Sequence, residues 1–126
     1  MLFSSFYDVN IKERIHPKHL FFPMLHGDAL ANRIGVRLFD GEKPFIPAGD
    51  RVVFIYRSDG QEIRINCETN GNEMWVDLPA DAYAVVGPID IHFSIVNGDT
   101  KTTVFLCSAR IRPGETDKTI EPNSRV

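Results

Sequence analysis

Between residue 27 and residue 111 one device recurs: a short run with apolar alternation, then a turn written in Gly, Asp, Asn or Pro. The turns read His26-Gly27-Asp28, Asp40-Gly41-Glu42-Lys43-Pro44, Pro47-Ala48-Gly49-Asp50, Ser58-Asp59-Gly60, Asn70-Gly71-Asn72, Leu78-Pro79-Ala80-Asp81, Gly87-Pro88 and Asn97-Gly98-Asp99. The runs between them are rich in β-branched and aromatic residues. Strands at this spacing, with no long helical pattern between them, specify an all-β fold, an antiparallel sandwich or barrel. Such a domain offers loops and sheet faces, so its function is sought on surfaces.

The 126 residues suffice for one domain with a real core, since a chain of this length buries roughly two-thirds of the surface its unfolded form exposes. Fourteen Lys and Arg against seventeen Asp and Glu give a net charge of −3. The basic residues are scattered, with no run to neutralise successive phosphates, so nucleic acid is not an expected partner. The N-terminus lacks the basic and apolar segments of a secretory signal, and no stretch reaches membrane-spanning length; no membrane partner is expected. Cys67 and Cys107 both fall inside expected strands. An inter-sheet bridge fits a sandwich, but without a signal the default is two buried thiols packing as small hydrophobes.

Along the chain, Tyr7 to Lys12 reads as a first edge strand, and the connection Glu13 to His19 is polar. Leu20 to Leu25 is apolar but interrupted by Pro23, which demotes it to an edge or bulged strand. Ala31 to Phe39 sets Ile34, Val36 and Leu38 against Arg37. Arg51 to Arg57 follows, then Gln61 to Cys67, with Ile63, Ile65 and Cys67 opposite Glu62, Arg64 and Asn66. Glu73 to Leu78 opposes Met74, Val76 and Leu78 to Glu73, Trp75 and Asp77. Ile89, Ile91, Phe93 and Ile95 alternate with Asp90, His92 and Ser94, the cleanest half-buried strand, and Lys101 to Ile111 is the last. Ser58-Asp59-Gly60 and Asn97-Gly98-Asp99 are hairpin turns. Ala80 to Val86 reads as one helical turn or a compact crossover, stopped by Gly87-Pro88. The expected organisation is a sandwich over residues 1–112 and a mobile polar tail over 113–126.

Chemistry is sparse. His16 and His19 stand in a loop around Pro17 and His26 precedes a turn, none with the companions a zinc site needs, so no metal and no cofactor is expected. Gly27-Asp28 and Asn97-Gly98-Asp99 lack the spaced oxygen ligands of a calcium loop. No Gly-x-Ser-x-Gly, His-Glu-x-x-His or phosphate loop occurs, and no catalytic residue is assigned. His92 reads as a surface residue of its strand.

One oddity remains. Trp75, the sole tryptophan, sits on the polar side of its strand. Two other strands are apolar on both faces: Val52, Phe54 and Tyr56 back onto Val53 and Ile55, and Val104 and Leu106 back onto Phe105, Cys107 and Ala109. A solvated sheet face should be polar. Either chain segments cover these second faces, or they form a contact surface, for which Trp75, Phe54, Tyr56 and Phe105 are the candidate residues.

The order of signals is also distinctive. A Gly27-Asp28 step, a strand, Phe39-Asp40-Gly41-Glu42-Lys43-Pro44-Phe45-Ile46-Pro47-Ala48-Gly49, a strand ending in Arg57-Ser58-Asp59-Gly60, then Leu78-Pro79-Ala80 and Gly87 resembles the N-terminal domain of phage baseplate upper proteins. The resemblance spans about residues 7 to 112, with Ser58 where the family has proline in the third turn. It implies an immunoglobulin-like sandwich in a siphophage or prophage tail, assembled in the host bacterial cytoplasm and carried in the virion. In that family the domain fastens a receptor-binding arm, preceded by helical segments, to the baseplate. The sequence in hand ends at Val126, so the expectation is a non-enzymatic structural module that docks onto other tail or baseplate proteins, or self-associates as a homo-oligomer. The alternative is a carbohydrate-binding sandwich for a cell-wall glycan, with Trp75 as sugar platform beside Glu73 and Asp77.

Overall fold

A computed structural model describes residues 2–21 and 24–114. Among these residues ten strands follow in order: β1 (Phe3–Asn10), β2 (Lys18–His19), β3 (Asn32–Asp40), β4 (Lys43–Pro44), β5 (Asp50–Tyr56), β6 (Glu62–Asn66), β7 (Glu68–Asn70), β8 (Glu73–Asp77), β9 (Gly87–Asn97) and β10 (Thr100–Ile111). The helical element among the described residues is a 3₁₀ turn over Ala80–Tyr83. The strands form two sheets. Sheet A runs β1-β3-β8-β7, with β4 paired to β3; sheet B runs β2-β10-β9-β5-β6. This is an all-β sandwich. The central arrangement is immunoglobulin-like: β3, β8 and β7 take the places of strands B, E and D, and β5, β9 and β10 those of C, F and G.

Alternation decides which side chains fill the space between the sheets. Ile34, Val36 and Leu38 of β3 and Met74 and Val76 of β8, continued by Leu78, face Val53 and Ile55 of β5, Ile89, Ile91 and Phe93 of β9, and Phe105, Cys107, Ala109 and Ile111 of β10. All are buried. Each such aliphatic or aromatic side chain contributes roughly 1.5–3 kcal/mol when fully removed from water. The hairpins β5–β6 and β9–β10 turn at Gly60 and Gly98, whose φ of 87° and 60° lie in the left-handed region that glycine occupies without penalty.

The structure departs from the sequence reading at several points. The first strand begins at Phe3, and it lies parallel to β3, Phe3 opposite Asn32 and Asn10 opposite Phe39. β2 is also parallel to its neighbour β10, so the sheets are antiparallel only in their majority. Among the described residues of the Leu20–Leu25 run no strand is present: β2 lies just before it, Leu20 and Met24 are buried, and Leu25 makes a single parallel bridge to Arg112. Phe22 and Pro23 lie outside the described residues. Gly87-Pro88 opens β9 and does not merely end the preceding turn. Proline is tolerated there because the β5 pairing ends at Asp90, so the missing N–H faces no partner on that side. Of the expected tail, Gly114 is buried, and residues 115–126 lie outside the described residues.

The connection between the sheets is pinned by Tyr83. Its side chain is fully buried, and its hydroxyl donates to Asn32 Oδ1 at 2.6 Å, tying the 3₁₀ turn to the start of β3. Both cysteines are free thiols, and burial pushes each up to about 12.

Candidate docking surfaces

The four candidate residues do not converge. Trp75 lies on the outer face of sheet A, Phe54 and Tyr56 lie on the outer face of sheet B, and Phe105 points into the core. Phe105 stacks on Tyr7 at 5.2 Å between ring centroids and meets Phe93 edge-on at 6.0 Å. It is in phase with Cys107, Ala109 and Ile111, which are all buried. β10 pairs Thr103 with Ser94 but Phe105 with Phe93, so Val104 is an extra residue and the stretch before it changes phase.

On the outer face of sheet A, β3 and β8 place Arg33, Gly35 and Arg37 opposite Asp77, Trp75 and Glu73, and β1 adds Phe6 beside Gly35 and Asp8 beside Arg37. The missing side chain of Gly35 leaves a trough. Phe6 and Trp75 close over it with ring centroids 6.2 Å apart. Each ring is then covered by a guanidinium, Arg33 5.8 Å from the Trp75 centroid and Arg37 4.9 Å from that of Phe6. The arginines are themselves held. Arg33 donates through Nε and Nη2 to Asp77 at 2.7 and 3.0 Å, and Arg37 donates through Nε to Glu73 at 2.9 Å, with Asp8 3.7 Å away. The bidentate carboxylate of Asp77 raises the Arg33 pKa against the opposing effect of burial. A half-exposed ladder of aromatic rings and ion pairs therefore crosses the sheet.

This geometry bears on the sugar reading. Glu73 and Asp77, the polar groups a sugar would use beside Trp75, are already engaged by Arg37 and Arg33. The Trp75 ring is also covered by Arg33.

The outer face of sheet B is built differently. Phe54 is 6% exposed, roofed by Lys101, whose Nζ sits 3.8 Å from the ring centroid, and by Arg64 at 5.7 Å. Val52 and Ser94 beside it are fully buried. Cationic stems lying over apolar rings explain how a sheet face can read as apolar in sequence and still be closed to solvent. Tyr56 packs edge-on to His92 at 4.9 Å, so His92 is half-buried and not the plain surface residue read from alternation. Burial lowers its pKa, opposed by Asp90 and assisted by Lys101.

Where the sheets part at one end, an apolar groove of about 360 Å³ opens between Val9, Ile15, Phe45, Ile95 and Val104, with Glu13 its charged lining residue. No base, nucleophile and orienting partner meet in it. Of the loop histidines, His19 is the second residue of β2 and lies 3.1 Å from the Ser108 hydroxyl. Among the described residues no three His, Cys, Asp or Glu side chains converge to hold a metal ion, and no helix is long and apolar enough to cross a membrane.

Known proteins give one kind of answer. No family model matches the chain, and no curated protein does. Solved structures do. The fold is similar to that of the N-terminal domain of phage TP901-1 ORF48, with a TM-score of 0.53 and 12% identity over 90% of this chain and 100% of that one. The chain shares its fold with a phage protein domain. At that identity the likeness is one of backbone path, and side-chain roles rest on the geometry above.

Sequence reading picked out Trp75 but missed Phe6, Gly35, Arg33 and Arg37, which build the surface around it. A signal was present. Gly35 interrupts the outward side of an otherwise β-branched and cationic strand, and an isolated strand glycine marks a close approach.

Proposed function

We propose that the protein is a non-enzymatic structural module of a phage or prophage tail or baseplate, which docks onto other tail proteins through the outer face of sheet A. The observation that carries the reading is the fold shared with an N-terminal domain of a phage protein. The order of the Gly27-Asp28, Asp40-Gly41, Ser58-Asp59-Gly60 and Leu78-Pro79 turns, which resembles baseplate upper proteins, supports it independently. The aromatic and ion-pair ladder of Phe6, Trp75, Arg33 and Arg37 suits such a role: tryptophan and arginine dominate the energetics of protein contacts, and a pre-ordered surface loses little side-chain entropy on binding.

Proteins encoded by neighbouring genes, purified and titrated calorimetrically against this one, test the proposal. Binding that Trp75→Asp weakens at least about tenfold, while Tyr56→Ser on the opposite face leaves it unchanged, is the expected result. Undiminished binding by a folded Trp75→Asp protein would remove the outer face of sheet A from the docking role. Saturable binding on a glycan array would return the sugar reading.

A further inference from the structure

Among the described residues, the outer side of β1 is an open strand edge unlike the other sheet edges. Phe3 donates its N–H to Ala31 and Ile11 donates its N–H to Phe39, each at 2.8 Å. Successive residues of a strand direct their main-chain groups to opposite sides, so the odd-numbered residues of β1 serve β3. Ser4, Phe6 and Asp8 thus turn both N–H and C=O away from the sheet. Among the described residues no strand pairs with that side.

Open edges invite foreign strands, and proteins blunt them with brevity, charge, proline or a bulge. β2 has two residues, β7 has three and begins with Glu68, and β6 alternates Glu62 and Arg64 with apolar residues. β1 has eight, reading Phe-Ser-Ser-Phe-Tyr-Asp-Val-Asn, without proline, lysine, arginine or bulge. It is flanked by Leu2 and Ile11, both exposed.

We propose that this edge pairs with β1 of a second copy of the chain, antiparallel about a two-fold axis through Phe6, so that two A sheets become one. The sequence of the strand points to a second copy because it is self-complementary about that residue. With Phe6 on the axis, Phe3 faces Val9, Ser4 faces Asp8 and Ser5 faces Tyr7. On the inward side Phe3 meets Val9 and the Tyr7 ring lies against the small Ser5, and on the outer side a hydroxyl donor meets a carboxylate. Moving the axis to Tyr7 sets Phe6 against Asp8; moving it to Asp8 sets two carboxylates against each other, which cross-strand pairs avoid. Ser4, Phe6 and Asp8 are also the residues whose main-chain groups are available, so each exchanges bonds with its opposite. The proposal uses the edge and does not depend on the face of Trp75.

Sedimentation equilibrium of the full chain over a concentration series tests it, with a melting curve for each variant. A dimer is expected. Ser4→Pro removes an N–H that points away from β3, leaves the β1–β3 ladder intact, and should weaken association at least about tenfold. Ser4→Asp faces Asp8 of the second copy and should also weaken it, whereas Ser4→Lys should tighten it; this pair reads the register even if the proline variant fails to fold. A monomer throughout the series overturns the proposal. So does a dimer on which Ser4→Asp and Ser4→Lys act alike, or one that Trp75→Asp dissociates by itself.

Discussion

Position 35 has no room for a methyl group. A Cβ built there would lie 2.8 Å from Trp75 Cβ and closer still to the Phe6 ring. Phe6 can swing away, but Trp75 Cβ is fixed to the main chain of β8. Gly35→Ala should therefore cost about 1–3 kcal/mol, seen as a lower melting temperature together with a shift in tryptophan fluorescence. Unchanged emission would mean that the two rings do not close over the glycine. His92 supplies a second test. Its folded pKa is depressed by burial, so the unfolded chain takes up the proton first as the pH falls. Stability should then decline as the pH drops through about 6.5, the ordinary value, and level off below the folded one. His92→Gln should lack that component, so the difference in melting temperature between the two proteins should change between about pH 8 and pH 5. A constant difference would place the imidazole in water. Both residues show how far sequence reaches: alternation gives the side of the sheet, but not whether Tyr56 or an arginine already covers it.

At the level of strands, the half-buried pattern of β9 was legible because every second residue from Ile89 to Phe93 is large and apolar, and all three are fully or almost fully buried. Phe93→Ala should cost about 3–5 kcal/mol, since it opens a cavity against Phe105; a chemical-denaturation midpoint close to that of the wild type would place the ring elsewhere. The hairpins at Gly60 and Gly98 were equally legible, for turn chemistry is local. What could not be read was partnership. Nothing in Tyr7-Asp8-Val9 says that β1 runs parallel to β3, because alternation carries no information on strand direction. Nor does Thr103-Val104-Phe105 announce a bulge, and because both faces of β10 are apolar, alternation does not say that the face of Phe105, Cys107 and Ala109 is the buried one. The turn before β9 offers a sharper test. Tyr83→Phe removes the hydroxyl that Asn32 Oδ1 accepts and should cost about 1–3 kcal/mol, because Asn32 is fully buried. A neutral effect on melting would show that the turn is held by packing alone.

Across the whole molecule, two thiols report on global opening. Burial pushes Cys67 and Cys107 up to about 12, so neither is appreciably ionised at neutral pH. In the native protein a thiol reagent should react slowly with Cys107, which is 3% exposed, and both should react fully once denaturant unfolds the chain. Immediate reaction of both would mean a looser sandwich than the one described. The pairing of β1 with β3 has a consequence for how the molecule reaches this state. β5–β6, β7–β8 and β9–β10 are closed by short turns, whereas β3 and β8 are joined by residues 44 positions apart at Arg33 and Asp77, and β1 must find β3 across the whole β2 region. Hairpins close in microseconds, while sandwiches dominated by distant contacts fold in milliseconds to seconds. The three hairpins are thus available as early nuclei, whereas β2 must wait for β10, 89 positions away between His19 and Ser108, and β1 must wait for β3. A polypeptide emerging from the ribosome must therefore hold its first strand unpaired until β3 has been made.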